Sequence, residues 1–465
     1  MVAVFKDSIV YAVYFLGLLA PLFLIPLGAA IYFEEWKEAI GFGIVLLIML
    51  IFWTISRKHL AFKTFSKKEY LLVLFFVFPI AAFVCSIPFL FGGFSIFNAV
   101  FDAMSSFTTT GISFHTGEIC NSLLFFRSFL VWLGGLGFVF FAFLVLKQSF
   151  QERNINSYYN EIKEKSGFNL NNFSKKIFSV YLLLTLACFV LLFLSGMTWF
   201  EAINLAAVTL STGGFFWSSS FSDIQKVILI IFMLLGASCF ILFFVRKNFV
   251  KAFARNIEFR SMLVFIFLGS CAFVFFSDIN IIDAVFLAVS GLTGTGLIAN
   301  TIDLSQLSQL ILLVLIGLMV IGGSYSSTSG GLKIWRVIIF FKSIFAEIKK
   351  YLLPDNVVVP LVFDGQCVEE KEIKNVFIYI GIFFLVLLFS TMFFLIFEQL
   401  DVVQALFTSA AAISNAGIAI VDLSNFSFMS HLWIFFLIWI GRIELLGFFV
   451  FVGSGFYLIK EKINY

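Results

Sequence analysis

Phe107-Thr108-Thr109-Thr110-Gly111-Ile112-Ser113 sets three hydroxyl side chains and a glycine at the end of the apolar run from Ile96 to Met104. Alone, such a stretch reads as readily as a helix-packing face. It recurs, however. Twelve residues before Gly111 stands Ala99, preceded by Asn98; the same interval leads from Gly214 to Ala202 after Glu201, from Gly296 to Ala284 after Asp283, and from Gly417 to Ala405 after Gln404. Each interval holds helix-compatible residues, about ten of them or ~15 Å of helix. The endings are Thr108-Thr109-Thr110-Gly111, Ser211-Thr212-Gly213-Gly214, Thr293-Gly294-Thr295-Gly296 and Ser414-Asn415-Ala416-Gly417. Four copies at one spacing are an internal repeat.

The surrounding chain is 61% hydrophobic and 12% charged over 465 residues, with a mean hydropathy of +1.07. That composition excludes an ordinary soluble domain and indicates an all-α polytopic membrane protein. A net charge of +3 gives no reason to expect nucleic acid. None of the six cysteines forms a CxxC or Cys/His cluster, so neither a disulfide framework nor a zinc site is expected. The first apolar run exceeds a signal-peptide core and reads as a retained membrane helix.

Apolar stretches of spanning length fall at 9–31, 40–55, 70–91, 123–146, 177–196, 224–245, 261–277, 307–345 (interrupted), 375–397 and 431–459, which predicts ten transmembrane helices. The repeat segments lie between spans three and four, five and six, seven and eight, and nine and ten. At half the hydrocarbon thickness they should enter the membrane and turn back. The layout expected is a two-helix hairpin (1–60) followed by four span–pore helix–span repeats, 61–150, 151–250, 251–350 and 351–465, around a pseudo-fourfold pore. Alternate connections carry the lysines and arginines: Arg57, Lys58, Lys63, Lys67 and Lys68; Lys147, Arg153, Lys163, Lys165, Lys175 and Lys176; Arg246, Lys247, Lys251, Arg255 and Arg260; Lys333, Arg336, Lys342, Lys349, Lys350, Lys371 and Lys374. Lys6, Lys460 and Lys462 join that side. The other side has Lys37, with Arg127 and Lys226 near helix mouths. The positive-inside rule then makes both termini cytoplasmic and sends the four short helices in from outside.

Each short helix would point its C-terminus, with roughly half a negative charge, toward mid-membrane. Four such ends favour a cation there. Asn98, Glu201, Asp283 and Gln404 are expected at the outer N-caps. The glycines let a loop turn its carbonyls toward an axis, and rings of carbonyl oxygens are a known replacement for the hydration shell of potassium.

These loops resemble the selectivity-filter loops of the Trk/Ktr/HKT superfamily of potassium transporters over about residues 70–460. The ten spans are more similar to its bacterial TrkH branch than to the eight-span Ktr branch. The resemblance implies potassium as the transported ion, bound at Thr109, Thr110, Gly111, Thr212, Gly213, Gly214, Gly294, Thr295, Gly296, Asn415, Ala416 and Gly417, with no cofactor in this chain. In that family filter glycines accompany potassium preference, and serine in the first loop goes with sodium. The fourth loop departs most from the family pattern. The resemblance also implies a homodimer in the bacterial inner membrane, surrounded by lipid, and a cytosolic TrkA-like subunit of the RCK type binding NAD or ATP. Channel-like flux and ion-coupled symport both remain open.

The eighth span is interrupted by Gly322-Gly323-Ser324-Tyr325-Ser326-Ser327-Thr328-Ser329-Gly330-Gly331. A lipid-facing helix would not carry such a run. A separate crossing after it would put the next basic segment outside. The run resembles the family's intramembrane loop, so Gly322, Gly323, Ser324, Ser327, Gly330 and Gly331 are expected in a gate. Arg442, in Trp439-Ile440-Gly441-Arg442-Ile443-Glu444, is the second gate residue expected, because an arginine deep in a span is costly and by default functional. Its scaffolding alternative is a pairing with Glu444 or with loop carbonyls. In Trp132-Leu133-Gly134-Gly135-Leu136-Gly137 the glycines read as close helix packing.

No Walker loop, Rossmann fingerprint, metal-spaced cluster or nucleophile elbow is found in the sequence, and no enzyme is expected. His59, His115 and His431 read as solvated polar residues. A secondary transporter of another cation or small solute would also use broken helices, though usually in two inverted halves.

Overall fold

In hydrocarbon a chain must satisfy its own amides, so long apolar runs without breakers become helices. The computed structural model describes residues 2–59, 66–151, 170–215, 220–244, 249–277, 279–299, 302–354, 359–364 and 366–463. Lys63, Arg153, Lys163, Lys165, Arg246 and Lys247 of the basic connections lie outside them. Helix α1 (Val2–Leu18) passes through a 3-10 turn (Ala20–Phe23) into α2 (Leu24–Tyr32) with a bend of 43°. Pro21, at the start of that turn, supplies no amide to continue α1. Helix α3 (Trp36–Arg57) closes the hairpin.

One sequence of elements then recurs. Helices α4 (Lys67–Cys85) and α5 (Ile87–Phe91) lead to a short α6 (Ile96–Phe107) and a long α7 (Asn121–Gln151). Next come α8 (Leu170–Leu194), short α9 (Trp199–Leu210) and α10 (Asp223–Gly236). After α11 (Phe249–Arg255), α12 (Ile257–Phe276) leads to short α13 (Ile281–Thr293), α14 (Gln309–Ile321) and α15 (Ile334–Tyr351). Strands β1 (Val362–Phe363) and β2 (Gln366–Cys367) pair antiparallel before α16 (Glu370–Phe397), short α17 (Val402–Ile413), α18 (Phe428–Arg442) and α19 (Glu444–Ile463).

Among the described residues, six helices are long and apolar enough to cross a membrane, or up to eight if each bent pair is one span. The ten expected from sequence exceed this because α10 and α14 stop after 14 and 13 residues. Helix α18 also ends early: α19 leaves it at 103°, starting from Glu444 at φ 56°. The break after Gly236 is not foreshadowed by hydropathy, and the one after Arg442 is marked only by the charges of Arg442 and Glu444 within an apolar run.

The short helices α6, α9, α13 and α17 have 12, 12, 13 and 12 residues. At ~18–20 Å they are too short to span. Their caps correct the expectation by one turn: Ser95, Thr198, Asn280 and Asp401 occupy the N-caps, three residues before Asn98, Glu201, Asp283 and Gln404. Glu201 and Gln404 instead close capping boxes back onto Thr198 and Asp401.

Glycines seat three of the second helices against the last residue of a short helix. A β-carbon at Gly134 would overlap the Phe107 carbonyl, at Gly236 it would lie 2.5 Å from the Leu210 carbonyl, and at Gly441 it would overlap the Ile413 carbonyl. Gly135 is equally tight, against Ser211, whereas Gly137 has open space, so close packing holds for only two of the three glycines in that motif. Gly134→Ala is expected to cost about 1–3 kcal/mol by overpacking. A lowered thermal midpoint in detergent, with Gly137→Ala unaffected, checks this.

Candidate ion pathway and gate

The four short helices end alike. The residue before each terminal glycine donates its amide to a carbonyl five residues back: Thr110 to Ser105 at 2.9 Å, Gly213 to Val208 at 3.0 Å, Thr295 to Ser290 at 3.0 Å and Ala416 to Ala411 at 2.9 Å. Such a closure needs a left-handed residue just past the helix. Thr109 (φ 54°), Thr212 (φ 51°), Gly294 (φ 72°) and Asn415 (φ 52°) supply it. A β-branched threonine enters that region at a cost of roughly 1–3 kcal/mol. One strained turn at one position in four loops reflects a shared geometry.

The loops that follow meet. A β-carbon on Gly111 would overlap the backbone of Gly214; one on Gly417 would overlap the Thr110 carbonyl, and one on Gly296 the Ala416 carbonyl. Gly214 lies within the same cluster, 3.3 Å from the Gly417 Cα by the same construction. Gly111, Gly214, Gly296 and Gly417, about one hundred residues apart in sequence on average, thus form one ring, with at least two of the preceding carbonyls in it. Thr108 bonds Thr110 at 2.8 Å and Thr293 bonds Thr295 at 2.7 Å through their hydroxyls. In the fourth loop Ser414 and Ala416 stand at those two positions, and the tie comes from Asn415 between them. Its amide donates to Thr110 Oγ1 and to the Ile438 carbonyl, both at 2.8 Å, tying loop four to loop one.

Gly322 to Leu332 forms a loop folded on itself between α14 and α15. Leu332 N donates to the Val320 carbonyl at 2.9 Å, Ile334 N to the Gly323 carbonyl at 3.0 Å, and Gly323 N to Ser329 Oγ at 2.9 Å. Gly322 and Gly331 have φ of 73° and 76°, and a β-carbon on Gly330 would overlap the Ser414 carbonyl at the end of α17. Ser327 closes the tip by donating to the Ser324 carbonyl at 2.5 Å. The break in α10 explains where the loop docks. Ser324 N donates to the Ala237 carbonyl at 2.9 Å and Thr328 N to the Gly236 carbonyl at 3.3 Å, using acceptors that a continuous helix would have consumed.

Thr328 joins this loop to the ring. Its hydroxyl lies 3.1 Å from the Leu210 carbonyl, 3.0 Å from the Gly236 carbonyl and 3.2 Å from Thr212 Oγ1. Arg442, 1% exposed, donates through Nη1 to the Thr328 carbonyl at 2.7 Å. Its Nη2 reaches the Gly134 carbonyl at 3.5 Å, and its guanidinium lies 4.3 Å from the Phe138 ring centroid. Glu444 does not pair with Arg442. It binds Arg336 at 2.5 Å, and Arg336 Nη1 donates to the Leu332 carbonyl at 3.0 Å. The break between α18 and α19 therefore sets Arg442 at the tip of the loop and Glu444, through Arg336, at its C-terminal end.

Arg442 and Glu444 are also not alone as deep charges. Asp102, Arg127, Lys226, Asp283, Glu258, Lys333 and Arg336 are all buried. Glu258 accepts from Tyr325 N at 2.7 Å, and Lys333 Nζ donates to the Ser329 carbonyl. Arg127 and Lys226 stand near helix mouths as expected, the seventh residue of α7 and the fourth of α10, but both are buried and paired. Arg127 pairs with Asp102, and Lys226 with Asp283 at 2.6 Å. Their signal was present as single charges inside apolar runs, but nothing in the runs named the partners. His115 and His431 are not simply solvated either: they stack on Phe94 and Phe114 with centroids 3.7 and 4.0 Å apart.

The fold is that of a multi-pass, predominantly helical membrane protein in which the loops after four short helices meet in one glycine ring, with a buried loop and arginine beside it. The family described as "TrkH: Cation transport protein" matches residues 86–455, and the chain belongs to it. An uncharacterized cation transporter of Methanocaldococcus jannaschii is 29% identical over 91% of this chain and 90% of its own length. The Trk system potassium uptake protein TrkH of Escherichia coli is 28% identical over 84% and 85%. The fold is that of the crystal structure of the potassium transporter TrkH from Vibrio parahaemolyticus, with a TM-score of 0.81 and 22% identity over 96% of this chain and 98% of that one.

Proposed function

We propose that the chain carries potassium into the cell through a filter made by the loops ending at Gly111, Gly214, Gly296 and Gly417. Ten spans, counting the broken α10 and α14–α15 as crossings, give the four repeats one direction and place both termini in the cytoplasm. The observation that carries this reading is the left-handed residue two positions before each glycine, repeated in four loops that meet. It turns four helix ends, each with a partial negative charge, toward one point. The relatives named for potassium uptake supply the ion. Thr109, Thr110, Thr212, Gly213, Gly294, Thr295, Asn415 and Ala416 complete the four ion-binding loops.

The Gly322–Leu332 loop and Arg442 close the pathway below the filter. Family resemblance adds a homodimer and a cytosolic nucleotide-binding subunit that moves this loop. Flux measured in proteoliposomes tests the reading: potassium and rubidium are expected to pass and sodium to lag well behind. Equal sodium flux would overturn it. Thr328→Val keeps the shape of the loop tip and removes the hydroxyl that meets Leu210, Gly236 and Thr212. Two lost buried bonds at about 1 kcal/mol each should raise rubidium flux by more than tenfold in the absence of any regulator.

A further inference from the structure

A carbonyl filter discriminates only while its oxygens cannot follow a smaller ion inward, so its loops need bracing from behind. The inference here rests on reading the glycine ring as that filter. Behind the first loop lies the ion pair of Arg127, on α7, with Asp102, on α6; their side chains are 7% and 0% exposed. The same guanidinium nitrogen, Nη2, also donates to Ser113 Oγ at 2.8 Å, two residues beyond Gly111. The guanidinium carbon stands 4.8 Å from the ring centroid of Phe215, the residue after Gly214, and 5.7 Å from that of Phe94. One side chain therefore touches the outgoing strands of loops one and two. One turn along α6 from Asp102, Ser105 accepts from the amide of Ile112 at 2.8 Å and fixes the residue between Gly111 and Ser113.

Stability alone does not account for this pair. A buried ion pair is often no better than apolar residues of the same volume. What a guanidinium adds is a rigid planar fork that holds several partners in fixed directions and can stack on a ring. Asp102 orients it from the helix side and shares Nη2 with Ser113, while one face is left to Phe215.

We propose that Arg127, oriented by Asp102, is a positioning residue for ion selectivity. It sets the spacing of the outer strands of the first two filter loops through Ser113 and Phe215 without touching the ion.

The test is the rubidium-to-sodium flux ratio in proteoliposomes. Ser113→Ala removes the loop contact and keeps the ion pair. The double variant Asp102→Asn with Arg127→Gln removes the charges together, leaving neither one buried alone. Gly111→Ser serves as the filter control. The ratio is expected to fall about tenfold in Ser113→Ala, the scale of losing one bond to a charged group, and further in the double variant, which removes the charged group itself. A general loss of stability would lower the amount of active protein and leave the ratio where it was. If Ser113→Ala and the double variant keep the parent ratio while Gly111→Ser loses it, Arg127 is scaffold only and the inference is overturned. If Gly111→Ser keeps the ratio as well, the filter reading fails and the inference falls with it.

Discussion

Gly111→Ser is expected to turn a potassium pathway into one that passes sodium. Gly111 has φ 82°, a conformation a side chain resists, and any β-carbon there would overlap the backbone of Gly214. The loop can relieve both only by withdrawing from the ring. A ring opened on one side no longer matches a dehydrated potassium ion, and it accepts water alongside a smaller one. A loss of about 1.4 kcal/mol in discrimination is already tenfold in relative flux, and at least that much is expected in the rubidium-to-sodium ratio. Gly111→Ala separates the causes. It brings the same β-carbon without a hydroxyl, and should degrade selectivity to a similar degree if crowding is responsible. A parent-like ratio in both variants would mean that Gly111 does not line the path.

Arg442→Ala is expected to raise flux that no regulator controls. The arginine makes a direct bond to the Thr328 carbonyl of the Gly322–Leu332 loop, and in the proposed pathway it adds a positive charge beside the ion. A unit charge even under strong screening is worth about 1–2 kcal/mol to an approaching cation, so an increase on the order of tenfold is reasonable for the alanine variant. Arg442→Gln distinguishes charge from scaffold: it can still donate to Thr328 but presents no charge. Leak in Gln equal to that in Ala assigns the barrier to charge, and parent-like flux in Gln assigns it to the loop contact. Unchanged flux in both would remove Arg442 from the gate. Glu444→Gln, which weakens the pair with Arg336 at the other end of the loop, should act in the same direction and more weakly.

The four loops were legible because their spacing is carried by local sequence. Small polar residues at a fixed distance after a helix are visible without any partner, and so was the broken eighth span, where a run of four glycines among serines and a threonine does not sustain a lipid-facing helix. What sequence left out is what the loops touch. Thr328 stood in plain view within a serine-rich run, yet its importance comes from Leu210, Gly236 and Thr212, on other elements. The break after Gly236 was hidden because hydropathy measures burial and not continuity of hydrogen bonding. The break after Gly236 is matched by tertiary contacts: the carbonyls of Gly236 and Ala237 are taken by the Gly322–Leu332 loop. Arg127 and Lys226 read as boundary charges, since a cation near a span end ordinarily faces water. Only the packing of Asp102 and Asp283 against them turns them into buried ion pairs.

Crystals of the parent protein soaked in thallium or rubidium address the matter at its root, because the anomalous signal locates the ion itself. A peak is expected inside the ring bounded by Gly111, Gly214, Gly296 and Gly417, in contact with the carbonyl oxygens of the preceding residues. Four loops found apart from one another, or an ordered ring with the heavy cation bound only elsewhere, would contradict the proposal that these loops select the ion.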